Sequence, residues 1–463
     1  MNPTQEQAQH VIQLYTQGKL QQALELTTQL LQNFPNSSFL FNILAASHVG
    51  LGQLDAAIEG YAQALKIQPN DAKTHFNLGI ALAENDDLVA AIDSYQQALT
   101  IAPDYAPAYN NMGNAQKDDG DLVRAISSYE KALKIDPNTA EVYINLGNAF
   151  KDRGELGQAI SAYNKALHII PDYAEAYNNM GSAFQDSGEL EQARSSYARA
   201  LKLDPDYVDA AWNMVGTAET MNDAEALLKQ CLMVDQDYVS AKILLCVLNY
   251  FRGDRHSFDE VMKSSLRDHP TLRSMKWVSE LPVLPKLYFN RWAFFDNVIE
   301  LSEKDRPFYE FGVFTGEAFR HLIITYKKGF GFDTFSGLPE DWREEKAGSY
   351  SSAGNIPDIL GGEFIAGKFE DTLPVFFSEP RPLASMINFD ADLYSSTICA
   401  LNNSKAVIDS HTILVFDEFI VNEEWEQDEY KALTEFCAAN KFTYEVLAIS
   451  FFTKQVAIKL VEI

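Results

Sequence analysis

Cysteine and positive charge are both scarce in this sequence. Four cysteines stand among 463 residues, and no two of them form a CxxC pair. We therefore expect neither a disulfide framework nor a zinc site, and the cysteine usage is typical of a reducing compartment. Lysine and arginine number 37 against 65 acidic residues, which gives a net charge of −28. Because so acidic a surface repels phosphate groups, we expect neither nucleic acid nor a membrane as a partner.

Long apolar runs are also missing from the sequence. No stretch approaches the roughly 18 apolar residues that a membrane-spanning helix needs. Residues 1–7 contain neither a basic nor an apolar region, so we expect no signal peptide and a cytoplasmic location. The chain is too long for a single hydrophobic core, and 46% of its residues are apolar, which is enough to fill the cores of two or three domains.

The first half of the chain repeats with a period of 34 residues. Prolines mark the period at Pro35, Pro69, Pro103, Pro137, Pro171 and Pro205. Small residues, tyrosines and a glycine turn keep the same spacing, because small residues let paired helices approach while aromatic rings fill the space between pairs. The pattern resembles the tetratricopeptide repeat. It predicts an all-α superhelix over residues 1–272 with about eight repeats, of which the last two, 208–238 and 239–272, are degenerate.

Two polar series follow the same period. Asparagines recur at Asn77, Asn111, Asn145, Asn179 and Asn213, and acids recur seven residues later at Glu84, Asp118, Asp152 and Asp186. An asparagine amide can both donate to and accept from a peptide backbone. The asparagines therefore predict a groove for an extended, basic or neutral peptide. The alternative is that each asparagine bonds to a neighbouring repeat.

The period ends near residue 272, and α/β alternation follows. We predict a helical linker over 273–304, with a helix at 286–304, and an α/β domain over 305–463. Strands are predicted at 307–314, 329–334, 383–390, 412–416, 443–449 and 455–461, with helices at 317–327, 395–408 and 428–440. Such alternation predicts a mostly parallel, Rossmann-like sheet with an antiparallel hairpin at its carboxyl-terminal end.

Glycines and an acid follow the first two strands of this domain. Gly312 and Gly316 allow the backbone to turn tightly and approach a ligand. Asp333 ends the next strand, where a carboxylate can bind both hydroxyls of a ribose. Together these residues predict a nucleoside cofactor. Alternatively, Asp333 is a helix N-cap.

Four acids follow two later strands. They are Asp390, Asp392, Asp417 and Glu418. Carboxylates at the ends of neighbouring strands repel one another unless protons or a cation intervene. Oxygen ligands of this kind suit Mg²⁺. The alternative is that these acids are helix caps and surface charge.

Several sequence blocks carry a resemblance to an enzyme family. They are residues 310–316, 332–342, 367–374, 390–397 and 416–419, with Trp425. Over roughly residues 305–463 the chain is similar to the macrocin O-methyltransferase family of class I S-adenosylmethionine enzymes. The resemblance implies that Asp390, Asp417 and Glu418 hold Mg²⁺ and that Asp392 is the general base. S-adenosylmethionine is expected at Glu310, Gly312, Thr315, Gly316, Asp333, Phe335, Glu370 and Asp371.

The sequence therefore predicts a Mg²⁺-dependent O-methyltransferase that acts on a hydroxyl of a sugar, a glycan or another small natural product. The repeats would recruit a protein or carrier, and residues 340–362 would form a mobile lid over the site. The alternative is an interaction scaffold whose methyltransferase-like domain is inactive. A glycosyltransferase is disfavoured because the second half lacks a recognisable nucleotide-sugar transferase motif.

Overall fold

The computed structural model describes residues 3–339, 348, 351–352, 354–391 and 393–463. Packing divides the chain into two units, one of residues 1–152 with 164–170 and one of residues 153–163 with 171–463. The boundary predicted at 272 came from the end of the repeat period, and the boundary at 304 came from the start of the α/β alternation. Both stay predictions. In the described part of the chain, every helix is too short or too polar to cross a membrane.

The first unit consists of antiparallel helix pairs. Its helices are α1 Gln5–Thr16, α2 Leu20–Asn33, α3 Ser38–Gly50, α4 Leu54–Ile67, α5 Ala72–Glu84, α6 Leu88–Ile101, α7 Ala106–Asp118, α8 Leu122–Ile135 and α9 Ala140–Asp152. Helix α10, Leu156–Ile169, contributes residues to both units. The periodic prolines stand just past the second helix of each pair, as Pro69 does after α4, because proline cannot continue a helix.

A tyrosine and a glycine explain the spacing inside each repeat. A Cβ atom added at Gly79 would lie 2.6 Å from the ring of Tyr95, and one added at Gly181 would lie 2.7 Å from the ring of Tyr197. Both tyrosines are buried. The glycine therefore makes room for the aromatic ring of the partner helix, and any larger residue would push the pair apart.

The second unit begins with further helix pairs. Its first helices are α11 Ala174–Asp186, α12 Leu190–Leu203, α13 Val208–Val215, α14 Met221–Val234, α15 Val239–Phe251, α16 His256–Val261 and α17 Pro270–Ser279, with a short 3-10 helix at Ser265–Asp268. Helix α13 has 8 residues, whereas α11 has 13. This shortening falls in the seventh repeat, where the glycine turn is missing from the sequence.

A mixed sheet with flanking helices completes the second unit. In chain order the elements are β1 Lys286–Tyr288, α18 Arg291–Leu301, β2 Phe308–Phe311, α19 Glu317–Tyr326, β3 Gly329–Asp333, β4 Gly362–Ala366, α20 Phe369–Phe376, β5 Met386–Phe389, α21 Tyr394–Ser404, β6 Ile413–Phe416, α22 Glu429–Asn440, β7 Phe442–Ser450 and β8 Val456–Glu462, with short 3-10 helices at Lys405–Val407 and Trp425–Gln427. The strand order is β1-β7-β8-β6-β5-β2-β3-β4. Strand β8 runs antiparallel to β6 and β7, and the other neighbours are parallel.

Three elements of this sheet domain differ from the prediction. The helix predicted over 286–304 is wrong at its start, because Lys286–Tyr288 forms strand β1 beside β7. The helix begins after Asn290, whose side chain accepts from the Ala293 N–H at 2.7 Å. Strand β4 and helix α20 were not predicted. Strand β1 has three residues and the edge strand β4 has five, of which none is fully buried, so neither shows an alternation of buried side chains in the sequence.

The last repeats and the sheet share one hydrophobic core. A single cluster of buried side chains contains Tyr197 and Leu248 from the repeats and Phe416 and Ile449 from the sheet. Trp212 packs against Phe452 with ring centroids 5.1 Å apart. The helices α11–α17 therefore belong to the packing of the sheet as well as to the repeat series.

Candidate functional site

A row of four stacked phenylalanines crosses the centre of the sheet. Phe332, Phe311, Phe389 and Phe416 are partners in register on β3, β2, β5 and β6. Their successive ring centroids lie 5.0, 5.4 and 4.8 Å apart. All four side chains are fully buried. The row fixes the level at which these four parallel strands end.

The residue after each phenylalanine belongs to the candidate site. Asp333, Gly312, Asp390 and Asp417 follow the four rings in that order, and all four line a cavity of about 350 Å³. The cavity lies where the strand order changes direction between β2 and β5. In open α/β sheets, ligands bind outside the carboxyl ends of the strands at such a point. The volume is within the range of small-molecule sites.

Asp333 holds two strained loops beside the cavity. Its Oδ2 accepts from the Val313 and Phe314 N–H groups at 2.7 Å, and its Oδ1 accepts from the Phe335 N–H at 2.6 Å. Phe314 and Phe335 have φ of 52° and 55°, a left-handed conformation that is uncommon for bulky residues. These three amides lie in loops and not in the first turn of a helix, so Asp333 stabilises loops here and is not a helix N-cap. A carboxylate has further lone pairs, so Asp333 can still accept from a hydroxyl in the cavity.

Gly312 permits a close approach between two strand ends. Its φ is 91°, and a Cβ atom there would lie 1.7 Å from the backbone oxygen of Asp390. The Gly312 N–H donates to the Phe332 oxygen at 2.8 Å, which ties β2 to β3 at the same level. Only glycine fits this backbone, and the absent side chain leaves the strand ends open to the cavity.

The acids at the other side of the cavity are paired with Arg291. One guanidinium nitrogen, Nη2, lies 2.9 Å from Oδ2 of Asp390 and 3.0 Å from Oδ1 of Asp417. Asp417 also accepts from Nε2 of Gln455 at 2.5 Å. Desolvation alone would lower the pKa of Arg291, but Asp417 and Asp390 raise it above its ordinary value, so the guanidinium stays charged.

Glu418 has a cation of its own. Its carboxylate oxygens lie 3.1 and 3.0 Å from Nζ of Lys454 in the hairpin between β7 and β8, and Oε2 accepts from Asn422 at 2.6 Å. Because the acidic motifs themselves contain no basic residue, the sequence predicted that a divalent ion relieves the repulsion among these acids. In the structure, Arg291 and Lys454 from distant parts of the chain lie beside them.

A metal ion does not fit these side chains as they stand. Among the described residues, no group of three or more His, Cys, Asp or Glu side chains is placed to hold one. Asp390 and Asp417 share a guanidinium, and Glu418 points to an ammonium group. The predicted Mg²⁺ site stays a prediction, and no chemical step is assigned to it below.

Glu310 lies beneath the cavity as a buried acid. Its side chain is 1% exposed, and it faces Asn388 in register on the neighbouring strand. Burial raises the pKa of the Glu310 carboxyl to about 8, although the positive charge of Arg291 acts to lower it. Its Oε2 has no hydrogen-bond partner among the described residues. Glu310 was predicted to bind the cofactor, but the structure places it below the lining of the cavity.

The buried Glu310 predicts a pH dependence of stability. Its pKa rises from 4.5 to about 8 on folding, so the folded chain keeps a proton that the unfolded chain releases. The free energy of unfolding should therefore fall as pH rises between these values, by up to about 1.4 kcal/mol per pH unit. Glu310→Gln cannot ionise and should lack this part of the slope. Urea denaturation across this pH range measures it.

Glu363→Gln is the matched control, because Glu363 is exposed on strand β4. It should keep the slope of the wild type. Equal slopes in the wild type and Glu310→Gln would mean that Glu310 is already ionised in the folded protein at neutral pH.

The remaining predicted cofactor residues lie outside the cavity lining. Thr315 lines a separate cavity with Arg153 and Pro357, and Gly316, with φ of 83°, precedes α19. The other residues are Phe335, which is buried, and Glu370 and Asp371, which are in the first turn of α20 and exposed. Asp392 lies outside the described residues, as do positions 340–347, 349–350 and 353 of the predicted lid.

The asparagine series is partly engaged within the repeats. All five asparagines, Asn77, Asn111, Asn145, Asn179 and Asn213, are half-buried. Nδ2 of Asn145 donates to Oδ1 of Asn110 at 3.1 Å, and Nδ2 of Asn213 donates to Oδ1 of Asn178 at 3.1 Å. The alternative of bonds to a neighbouring repeat is thus seen for these two residues. The peptide groove stays a prediction.

Several residues of the cavity lining were not predicted from the sequence. Arg291, Lys368 and Phe314 line the cavity. Lys368 lies within a block that carried the family resemblance, which could have suggested it. Arg291 stands 99 positions before Asp390 and carries no motif, so its role depends on the tertiary structure.

Sequence comparisons agree with the repeat architecture. Family models described as the TPR repeat or tetratricopeptide repeat match residues 11–37, 48–86, 72–105, 117–152, 147–188 and 174–207. The amino-terminal half carries tetratricopeptide repeats. Tetratricopeptide repeats form protein-interaction scaffolds, and the expectation of a peptide or protein partner is supported to that extent. None of the curated proteins matches the chain.

Solved structures similar to this chain include two that are described as TPR proteins. A crystal structure of MamA is 27% identical and covers 35% of this chain and 95% of its own, with a TM-score of 0.34. The carboxyl-terminal part of a TPR repeat-containing protein from Cytophaga hutchinsonii is 19% identical, covers 50% and 97%, and has a TM-score of 0.45. YrrB, described as a TPR protein with an unusual peptide-binding site, is 24% identical, covers 40% and 97%, and has a TM-score of 0.35.

Proposed function

We propose that this protein binds S-adenosylmethionine in the cavity at the carboxyl ends of β2, β3, β5 and β6 and transfers its methyl group to a hydroxyl. The acceptor would be a hydroxylated small molecule or glycan, and the tetratricopeptide repeats would bring a protein or carrier partner. The observation that carries this proposal is the cavity of about 350 Å³ at the change of strand direction.

The strand order supports a nucleoside ligand. Strands β4-β3-β2-β5-β6 follow the order 3-2-1-4-5 of a doubly wound fold, counted from β2 as the first strand. In that fold the glycine turn after the first strand and the acid after the second strand contact the nucleoside. Gly312 and Asp333 occupy these two positions and line the cavity. The resemblance to the macrocin O-methyltransferase family is consistent with this placement.

The side chains at the opposite wall would receive the acceptor. Arg291 is about a third exposed and has guanidinium donors beyond the nitrogen that binds the acids. In this proposal Arg291 holds an acceptor oxygen in line with the methyl group. Positioning of the reactants and electrostatic stabilisation would then supply most of the rate enhancement. S-adenosylmethionine supplies the electrophilic methyl group. The assignment of Asp392 as base remains a proposal from the sequence.

The repeats have features that favour a cationic partner. Glu84, Asp118 and Asp152 are the last residues of α5, α7 and α9. An acid at that end of a helix is opposed by the helix dipole, by about 0.3–1 kcal/mol. A basic residue at the carboxyl-terminal end of each of these helices would stabilise the helix better than an acid does. The acids therefore support the binding of an extended basic or neutral segment, in keeping with the net charge of −28.

Calorimetric titration of the full chain with S-adenosylmethionine tests the proposal. The wild type should bind one equivalent, and Asp333→Asn should weaken binding by about 1–3 kcal/mol through loss of charge-assisted hydrogen bonds. Asp305→Asn is the matched control, because Asp305 is exposed and lies outside the cavity lining. It should bind as the wild type does. Transfer of a labelled methyl group to a panel of hydroxylated acceptors then tests catalysis.

A second candidate is an interaction scaffold without catalysis. It is favoured by the pairing of Asp390, Asp417 and Glu418 with cations of the chain itself. Binding of S-adenosylmethionine without transfer to any acceptor would support a scaffold that senses the ligand. Absence of binding in the folded wild type would reject the methyltransferase proposal and leave the scaffold.

A further inference from the structure

Arg291 lies where the sequence places a metal ion. Its Nη2 contacts one carboxylate oxygen of Asp390 and one of Asp417, at 2.9 and 3.0 Å. These acids follow the neighbouring strands β5 and β6. A single charged nitrogen therefore bridges the two anions that would otherwise be the first ligands of a divalent ion.

The backbone on both sides of Arg291 is fastened to the repeats. The side chain of Asn290 is buried, and its Nδ2 donates to the backbone oxygen of Ala218 at 2.9 Å. Nε1 of Trp292 donates to the backbone oxygen of Gln185 at 3.0 Å. Arg291 thus projects from a fixed point at the start of α18, unlike an arginine on a mobile surface loop.

A guanidinium and a divalent ion exclude each other at this place. Both carry positive charge, and within a few ångströms in a partly buried site their repulsion is strong. We propose that Arg291 is the resident cation of the cavity, so that Asp390 and Asp417 bind no divalent metal while it is present. Arg291 lines the cavity, and its guanidinium donors suit a hydroxyl or carboxylate oxygen of a ligand.

This inference rests on the two acids and Arg291 and does not depend on methyl transfer. Divalent-ion binding is measured without S-adenosylmethionine or an acceptor. The cation inference and the proposed activity can therefore fail independently.

The electron paramagnetic resonance signal of free Mn²⁺ provides the test. The full-length wild type and Asp390→Asn should reduce this signal equally, because any Mn²⁺ bound would be held by other acids of the surface. Arg291→Gln removes the guanidinium charge from beside both carboxylates. The variant should bind one Mn²⁺ ion more than the wild type does. The Mn²⁺ affinity at Asp390 and Asp417 should rise at least about tenfold when the repulsion by Arg291 is removed. The double variant Arg291→Gln/Asp390→Asn should lose that ion, and Arg291→Lys, which keeps the charge, should behave as the wild type does.

Two results would overturn the inference. One is a Mn²⁺ ion bound by the wild type and lost in Asp390→Asn. The other is Arg291→Gln that folds, by its circular dichroism spectrum, but gains no Mn²⁺ site. If Arg291→Gln does not fold, the comparison of the wild type with Asp390→Asn decides alone: equal Mn²⁺ binding supports the inference, and a difference rejects it.

Discussion

Gly312→Ala is expected to destabilise the protein far more than a glycine substitution with the same backbone conformation elsewhere. Gly312 has φ of 91°, and a Cβ atom there would lie 1.7 Å from the Asp390 backbone oxygen. The left-handed conformation alone costs an alanine about 1–2 kcal/mol. The clash adds to this because β2 and β5 must separate, so the total loss should exceed about 3 kcal/mol.

Gly253→Ala is the matched control for this prediction. Gly253 has φ of 96°, and nothing lies within 4 Å of a Cβ atom placed there. Gly253→Ala should therefore lower the free energy of unfolding only by the about 1–2 kcal/mol that the left-handed conformation costs an alanine. The free energy of unfolding of both variants, measured by denaturant titration of the full chain, gives the difference. Similar losses in the two variants would mean that β2 and β5 do not approach as closely as described.

Phe389→Ala is the second change with a large expected effect. Phe389 is fully buried between Phe311 and Phe416, with ring centroids 5.4 and 4.8 Å away. Removing the ring leaves a cavity in the centre of the sheet, at a cost of about 3–5 kcal/mol. Because Asp390 follows this residue directly, the same change should loosen the carboxyl ends of β5 and β6 and weaken ligand binding in the cavity.

Phe364→Ala serves as the comparison for the aromatic row. Phe364 is half-buried on the edge strand β4, so its loss should be smaller. Phe389→Leu should lie between the wild type and Phe389→Ala, because leucine refills part of the space. Calorimetric and denaturant unfolding curves of the three variants measure their order of stability. A Phe389→Ala variant as stable as Phe364→Ala would show that the stacked row contributes little to the sheet.

Much of the candidate site could be predicted from residues near in sequence. The glycine turn at Gly312 and the acids Asp333, Asp390 and Asp417 were expected at strand ends, and the structure places them around one cavity. Parallel strands bring their carboxyl ends to one edge, so residues that follow strands must converge there. Thr315 and Asp371 lie outside the lining of this cavity, so their part in cofactor binding stays a prediction. A position next to a motif does not fix which way a side chain points.

The sequence by itself determined the features that arise within one repeat or between neighbouring helices. The 34-residue period, the proline after each second helix and the glycines opposite three buried tyrosines, such as Gly181 opposite Tyr197, are set by neighbouring helices in one repeat. Their contacts recur at a fixed short spacing, so the spacing alone reveals them.

Only the tertiary structure decided the charge of the candidate site. Arg291 meets Asp390 and Asp417 across 99 and 126 positions of chain, and Lys454 meets Glu418 across 36. Such pairs depend on the order of strands in the sheet and on where α18 is fastened to the repeats. The electrostatic repulsion among the acids was therefore visible in the sequence, whereas the cations that neutralise it were not, because charge acts through space and not along the chain.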